Sequence, residues 1–356
     1  MPLDFILGIV QLASTSSLAQ NDEDSLEGPM RRQITTLILQ LVWFAGTAAA
    51  QENPYTEISS WAEPPSRALG SVSWTHPDAD GNIWIVERCG QNSCVGRDGF
   101  APIHMYDANG RWVRSFGEGM LIFPHGIYVD LDGNVWVTDG GAEGDRGHQV
   151  FKFSPEGSVL MTLGEAGLAG GGVGRFNAPT DVVVAPNGDI FVADGHTADG
   201  NNRIVKFSRD GRFIMSWGMT GSGPGEFLVP HALAIDSQGR IFVGDRNNNR
   251  IQIFDQDGEF LEEWLAFGRP SGVFVSADDT IYVSDNTSNT QRNPGRQRGI
   301  SVGDASDGSV DAFIPDPVFD PDNTAATGAH GVSANARGEI FGGEVGGQAV
   351  KQYVLR

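Results

Sequence analysis

Residues 125–140 read HGIYVDLDGNVWVTDG. Two short apolar runs, GIYV and NVWV, flank DLDG, so the stretch predicts a β-hairpin turning at Gly133. Five other segments align on the same turn position: SWTHPDADGNIWIVER (73–88), TDVVVAPNGDIFVADG (180–195), HALAIDSQGRIFVGDR (231–246), SGVFVSADDTIYVSDN (271–286) and HGVSANARGEIFGGEV (330–345). A carboxylate follows each turn at a constant spacing, as Glu87, Asp139, Asp194, Asp245, Asp285 and Glu344. Further strand-like runs such as HQVFKF, NRIVKF and NRIQIF come next. Repeats of about 40–55 residues with four short strands predict a β-propeller, and six copies predict six blades. The fold class is therefore all-β. The last copy ends on AVKQYVLR, which reads as a third strand, so its fourth is expected from YTEISSW (55–61). That exchange would hide an open sheet edge.

The 356 residues are 40% hydrophobic and 19% charged, with 48 glycines, a globular composition suited to many tight turns. From Met30 the chain reads MRRQITTLILQLVWFAGTAAAQ. Two arginines, an apolar stretch and a small-residue end make residues 30–50 an expected signal peptide, cut after Ala50. Residues 1–29 are then an extension outside the mature protein, and 51–356 form the propeller. Localisation is expected to be secreted or periplasmic, with no membrane attachment after cleavage. The alternative is an uncleaved anchor. Net charge is −21, of which residues 51–356 carry −18, which disfavours nucleic acid and anionic membranes as partners. Cys89 and Cys94 are the only cysteines, and outside the cytoplasm they are expected to pair; metal sites of soft ligands usually need four. The sequence leaves the oligomeric state open, with a monomer as the default.

Positions that break the repeat carry the functional signal. The first residues of the six inner strands are Ser73, His125, Thr180, His231, Ser271 and His330. Histidine occupies blades two, four and six. Alternate blades of six lie about 120° apart, so three imidazoles at one height converge on the channel axis, as a metal with open positions requires. Zinc suits such ligands, and iron or copper would also bind. After each repeated carboxylate come Arg88, Gly140, Gly195, Arg246, Asn286 and Val345. The two arginines suit a substrate carboxylate unless acidic loops pair with them. One position further on, blade three offers His196, an acid–base candidate unless it points to solvent. The repeated carboxylates, His76, His104 and His148 read as structural; His148 stands where the other blades have Asn202 and Asn249.

Together, ERCG (87–90), FPHGIYVDLDGNVWVTD (123–139), FNAPTDVVVAPNGDIFVADGH (176–196), GEFLVPHALAI (225–235), GDRNNNRIQIF (244–254) and AHGV (329–332) resemble peptidyl-α-hydroxyglycine α-amidating lyase, within the NHL-repeat propellers. The resemblance covers roughly residues 70–356. It implies a zinc site at His125, His231 and His330, with Arg88 and Arg246 beside it, and cleavage of a carbinolamine to a peptide amide and glyoxylate. The partner would be a small or peptidic substrate with a carboxylate. Three positions depart from the family. His196 stands where the catalytic tyrosine is expected, Gly328 replaces a methionine, and Gly331 replaces the acid that holds a structural calcium, which makes that calcium doubtful. Backbone oxygens near Thr75 and Ile127 remain possible calcium ligands. The alternative functions are a metal-dependent hydrolase at the same site and a non-catalytic NHL-repeat binding module.

Overall fold

The computed structural model describes residues 53–59, 61–62, 67–323 and 328–356, all within the unit that spans 51–356. The expected signal peptide, residues 30–50, and the expected extension before it lie outside the described residues. Six four-stranded antiparallel sheets make up the six blades of the propeller, and the described residues contain no α-helix. Their inner strands are Val72–Pro77, Pro124–Val129, Pro179–Val184, Pro230–Ile235, Gly272–Val275 and Gly331–Ala334. The sixth sheet is completed by Tyr55–Ile58, paired with Ala349–Leu355 in the register Tyr55 to Leu355. The strand predicted to close the ring therefore does so.

The repeat has a physical basis in each hairpin. The turn position is left-handed in all six blades, at Gly81, Gly133, Gly188, Gly239, Asp279 and Gly338, with φ between 60° and 91°. Glycine adopts this at no steric cost, and blade five manages with aspartate. The Asp78 and Asp130 carboxylates accept from the turn amides and from the Trp84 and Trp136 indole nitrogens at 3.0 and 2.9 Å. These two turns are thereby each tied to a buried tryptophan.

Five of the six repeated carboxylates accept backbone N–H groups from the segment that leads into their own blade. The donors are Gly70 to Glu87, Phe123 to Asp139, Asn177 to Asp194, Leu228 to Asp245 and Arg269 to Asp285. Glu344 instead meets Lys351 Nζ at 3.1 Å. His148 likewise has an architectural role. Its φ of 54° matches 49° at Asn202 and 56° at Asn249, and its Nδ1 accepts from Ala178 N as Asn202 Oδ1 accepts from Val229 N.

Ring closure carries a testable cost. Trp61 stacks edge-on against Phe341 at 4.9 Å, and Glu57 meets Lys351 at 3.2 Å, so the first strand adds packing as well as a ladder. Deleting residues 51–61 is expected to lower the melting temperature by about 10 °C or more and to promote association through the exposed edge. Calorimetry and light scattering of the truncated protein check this; an unchanged melting temperature would show that closure contributes little.

Candidate metal and substrate site

Four of the six inner strands bulge where they begin. Register slips between Val72 and Trp74, Pro124 and Ile127, Pro179 and Asp181, and Pro230 and Ala232. Ser73, His125, Thr180 and His231 fall in these slips, and a bulge re-aims a side chain out of the normal alternation. His125 and His231 are fully buried, and His330 is 6% exposed. Their ring centroids lie 4.6, 5.1 and 4.9 Å apart.

The three rings are held in one way. His125 Nδ1 meets Thr180 O at 2.7 Å, His231 Nδ1 meets Ser271 O at 2.6 Å, and His330 Nδ1 meets Ser73 O at 2.9 Å. In each case the carbonyl belongs to the next blade, at the same repeat position. Even blades supply imidazoles at that position and odd blades supply the oxygens that orient them. A carbonyl can only accept, so each Nδ1 carries the hydrogen and each Nε2 presents a lone pair. His125 Nε2 and His231 Nε2 then face each other at 3.1 Å with no proton between them. Two facing lone pairs repel, and a shared cation resolves the conflict. Two nitrogens on one tetrahedral zinc stand about 3.3 Å apart, given Zn–N bonds of 2.0–2.1 Å. Burial first, and then neighbouring positive groups, hold all three imidazoles well below the ordinary histidine pKa. Neutral, pre-oriented imidazoles with carbonyl second partners form a donor set that fits a divalent transition metal.

His196 joins this group. Its ring centroid is 4.7 Å from His125 and 5.3 Å from His231, and ring nitrogens of these three residues come within 4.8 Å of one another. His330 lies outside that tightest trio, although its ring contacts both His125 and His231. Backbone bonding explains the placement of His196, since its N–H donates to Ala178 O at 3.0 Å just past the strand end. Burial, then Arg246 and Arg88, push its pKa down to about 3.

Neither arginine forms an ion pair among the described residues. Arg88 is 3% exposed, stacks its guanidinium 3.8 Å over the Phe123 ring, and donates to Asn92 Oδ1 and Pro124 O at 2.6 and 3.3 Å. Arg246 Nε is buried with no hydrogen-bond partner. Burial lowers both to about 9, and Arg269 and Arg292 add positive field at Arg246. In a chain of net charge −21, this end of the channel holds cations without counter-ions, a setting made for an anion. Cys89 and Cys94 form the disulfide that closes the loop behind Arg88.

Trp74 and Asp181 were missed in the sequence. Trp74 lies 5.8, 6.2 and 5.8 Å from the rings of His125, His231 and His330 and floors the site. The signal lay one residue past the histidine position, where the blades have Trp74, Gly126, Asp181, Ala232, Gly272 and Gly331. Asp181 is buried and laces blades three and four by accepting from Val182 N and Leu233 N. The expected calcium acid has no place here. A Cβ on Gly331 would lie 2.6 Å from Ser73 O and Trp74 Cα and 2.8 Å from Trp74 Cδ2, so backbone and indole together fill that room. Beyond Trp74, a separate cavity of about 500 Å³ opens at the other end of the channel, lined by His76, Tyr128 and Phe274 among others. His76 is held at a pKa of about 4 by burial.

Known proteins match this architecture. A family model described as DUF5128, a 6-bladed beta-propeller, matches residues 180–293. The probable peptidyl-alpha-hydroxyglycine alpha-amidating lyase of Caenorhabditis elegans is 34% identical over 199 residues, 51% of this chain and 55% of that one. Peptidyl-glycine alpha-amidating monooxygenase B of Xenopus laevis is 38% identical over 178 residues, 46% of this chain and 19% of the larger protein. Human NHL repeat-containing protein 3 is 32% identical over 217 residues, 59% of each. The match thus takes in from about a fifth to about three fifths of these relatives' own length. A gluconolactonase from Xanthomonas campestris superposes with a TM-score of 0.58 over 88% of this chain and 94% of its own, at 16% identity, a likeness of fold alone. The chain is a six-bladed β-propeller that resembles peptidyl-α-hydroxyglycine α-amidating lyases and NHL-repeat proteins over about half of its length.

Proposed function

We propose that this protein is an exported, metal-dependent lyase that splits a peptidyl-α-hydroxyglycine, or a similar carbinolamine, into an amide and glyoxylate. The observation that carries the reading is the set of three clustered imidazoles, each held through Nδ1 by a backbone carbonyl of the next blade, beside two arginines without ion-pair partners among the described residues. His125, His231 and His330 would hold the metal, which supplies a Lewis acid for the substrate hydroxyl. Arg246 and Arg88 would take the substrate carboxylate, the partner their guanidinium forks lack here. His196 would accept the hydroxyl proton as the carbonyl of glyoxylate forms and the C–N bond breaks. The departing amide nitrogen takes a proton in turn, and the His196 imidazolium can return it. Burial, and after it the charge of Arg246 and Arg88, depress His196 in the free protein. A bound carboxylate neutralises that charge, so substrate raises the basicity of its own proton acceptor. Phe123 and Trp74 make the site partly apolar, which strengthens each of these interactions. The Cys89–Cys94 disulfide fits an oxidising compartment.

Benzoyl-α-hydroxyglycine is expected to yield benzamide and glyoxylate in equal amounts with metal-loaded protein, and the reaction is expected to stop on chelation. Chromatography for benzamide and a coupled assay for glyoxylate measure this. Metal-loaded protein that releases no glyoxylate would remove the lyase reading. A hydrolase acting on the amide would give benzoate instead, and the α-hydroxyglycine it released would itself collapse to glyoxylate and ammonia, so benzamide is the product that separates the two.

A further inference from the structure

His196 differs from the other three site histidines in how it is held. Each of those rings is locked through Nδ1 to a carbonyl. No described residue hydrogen-bonds a ring nitrogen of His196, so both of its nitrogens are available. Its backbone N–H is pinned to Ala178 O, but the residues that follow, Thr197, Ala198 and Asp199, are exposed on a loop. The ring sits on a fixed root with a free side chain. It nevertheless packs edge-on against His125 at 4.7 Å and lies 5.3 Å from His231, inside the nitrogen cluster rather than in solvent.

We propose that His196 is the fourth ligand of the channel metal in the substrate-free protein, so that the resting centre holds three locked imidazoles and one unlocked one. This rests on the metal-site reading above and specifies a resting state for it. The consequence is chemical. A fourth imidazole denies the position to water, so the idle metal carries no hydroxide and has no hydrolytic nucleophile. With His125, His231 and His330 holding the metal, a displaced His196 would offer its freed nitrogen lone pair to the proton of the substrate hydroxyl. Ligand exchange creates the base only when substrate is present. The locked Nδ1–carbonyl bonds make the other three rings poor candidates for this exchange, because each would abandon a hydrogen bond.

The test uses cobalt(II) as probe in the full propeller, one equivalent per chain, with wild type, His196→Ala and His196→Gln compared. Wild type is expected to show the visible bands of a four-nitrogen tetrahedral site that azide barely perturbs. In His196→Ala the bands should shift as water enters, and azide should bind about tenfold more tightly or better. His196→Gln should fall on the side of alanine, which guards against a folding artefact in one variant. With copper(II), electron spin echo modulation should count one fewer imidazole nitrogen in both variants. Identical cobalt spectra and equal azide affinity across all three proteins, with one metal per chain retained, would overturn the fourth-ligand assignment and leave the three-histidine site standing. Failure of wild type to take up cobalt at all would overturn both.

Discussion

Protein carrying His231→Ala is expected to purify with no stoichiometric metal and to lose activity by at least about three orders of magnitude. His231 belongs to the pair whose Nε2 atoms stand 3.1 Å apart, and its loss removes one of three locked ligands and half of that pairing. The effect on stability separates a metal site from channel filling. In metal-free protein the substitution removes a repulsion between lone pairs but strips Ser271 O of its donor and leaves a cavity, and these effects oppose each other. The melting temperature of metal-free variant and metal-free wild type should therefore lie close together. Metal at about 1,000 times its Kd should stabilise wild type by about 4 kcal/mol and the variant hardly at all. Elemental analysis with calorimetry, with and without chelator, reads both quantities. One metal per chain retained in His231→Ala, or no melting shift on chelation of wild type, would show that the imidazoles are structural.

How much of this was legible beforehand depends on whether side chains or backbone carry the feature. The blades could be read because all six repeat a left-handed turn and five repeat a carboxylate clamp, and both demand particular residue types. His125, His231 and His330 could be read because they break that repeat in alternate blades. What holds them could not. Thr180, Ser271 and Ser73 act through carbonyl oxygens, which every residue possesses, so nothing in their identity announces the role. The direction of His196 was equally hidden, since a loop residue faces the channel or solvent according to one backbone bond, here to Ala178 O. For the arginines, sequence could list acidic neighbours but could not show that none is used. Trp74 was visible as the largest residue at its repeat position, yet its meaning required knowing that Gly331 yields it room. Gly331 had marked the calcium as doubtful, and the indole gives the physical reason.

Arg246→Met should have opposite effects on activity and stability. Arg246 Nε is buried with no acceptor, and Arg269 and Arg292 add like charge nearby. A guanidinium kept there costs folding energy that no described partner returns. Methionine of similar length removes that cost and is expected to raise stability by about 1 kcal/mol, or roughly 2 °C in melting temperature. The same change removes the proposed carboxylate clamp and should lower kcat/KM for benzoyl-α-hydroxyglycine by about a hundredfold or more. The cause is separable by substrate. N-hydroxymethylbenzamide keeps the carbinolamine and lacks the carboxylate, so wild type and Arg246→Met should turn it over at similar rates. If the variant loses activity equally on both substrates, Arg246 acts on the reacting centre rather than on the carboxylate. If it loses stability, its guanidinium has partners in solution and its role is structural. Only a stable variant with a selective loss on the acid fits an arginine retained, against the interest of the fold, for the substrate's anion.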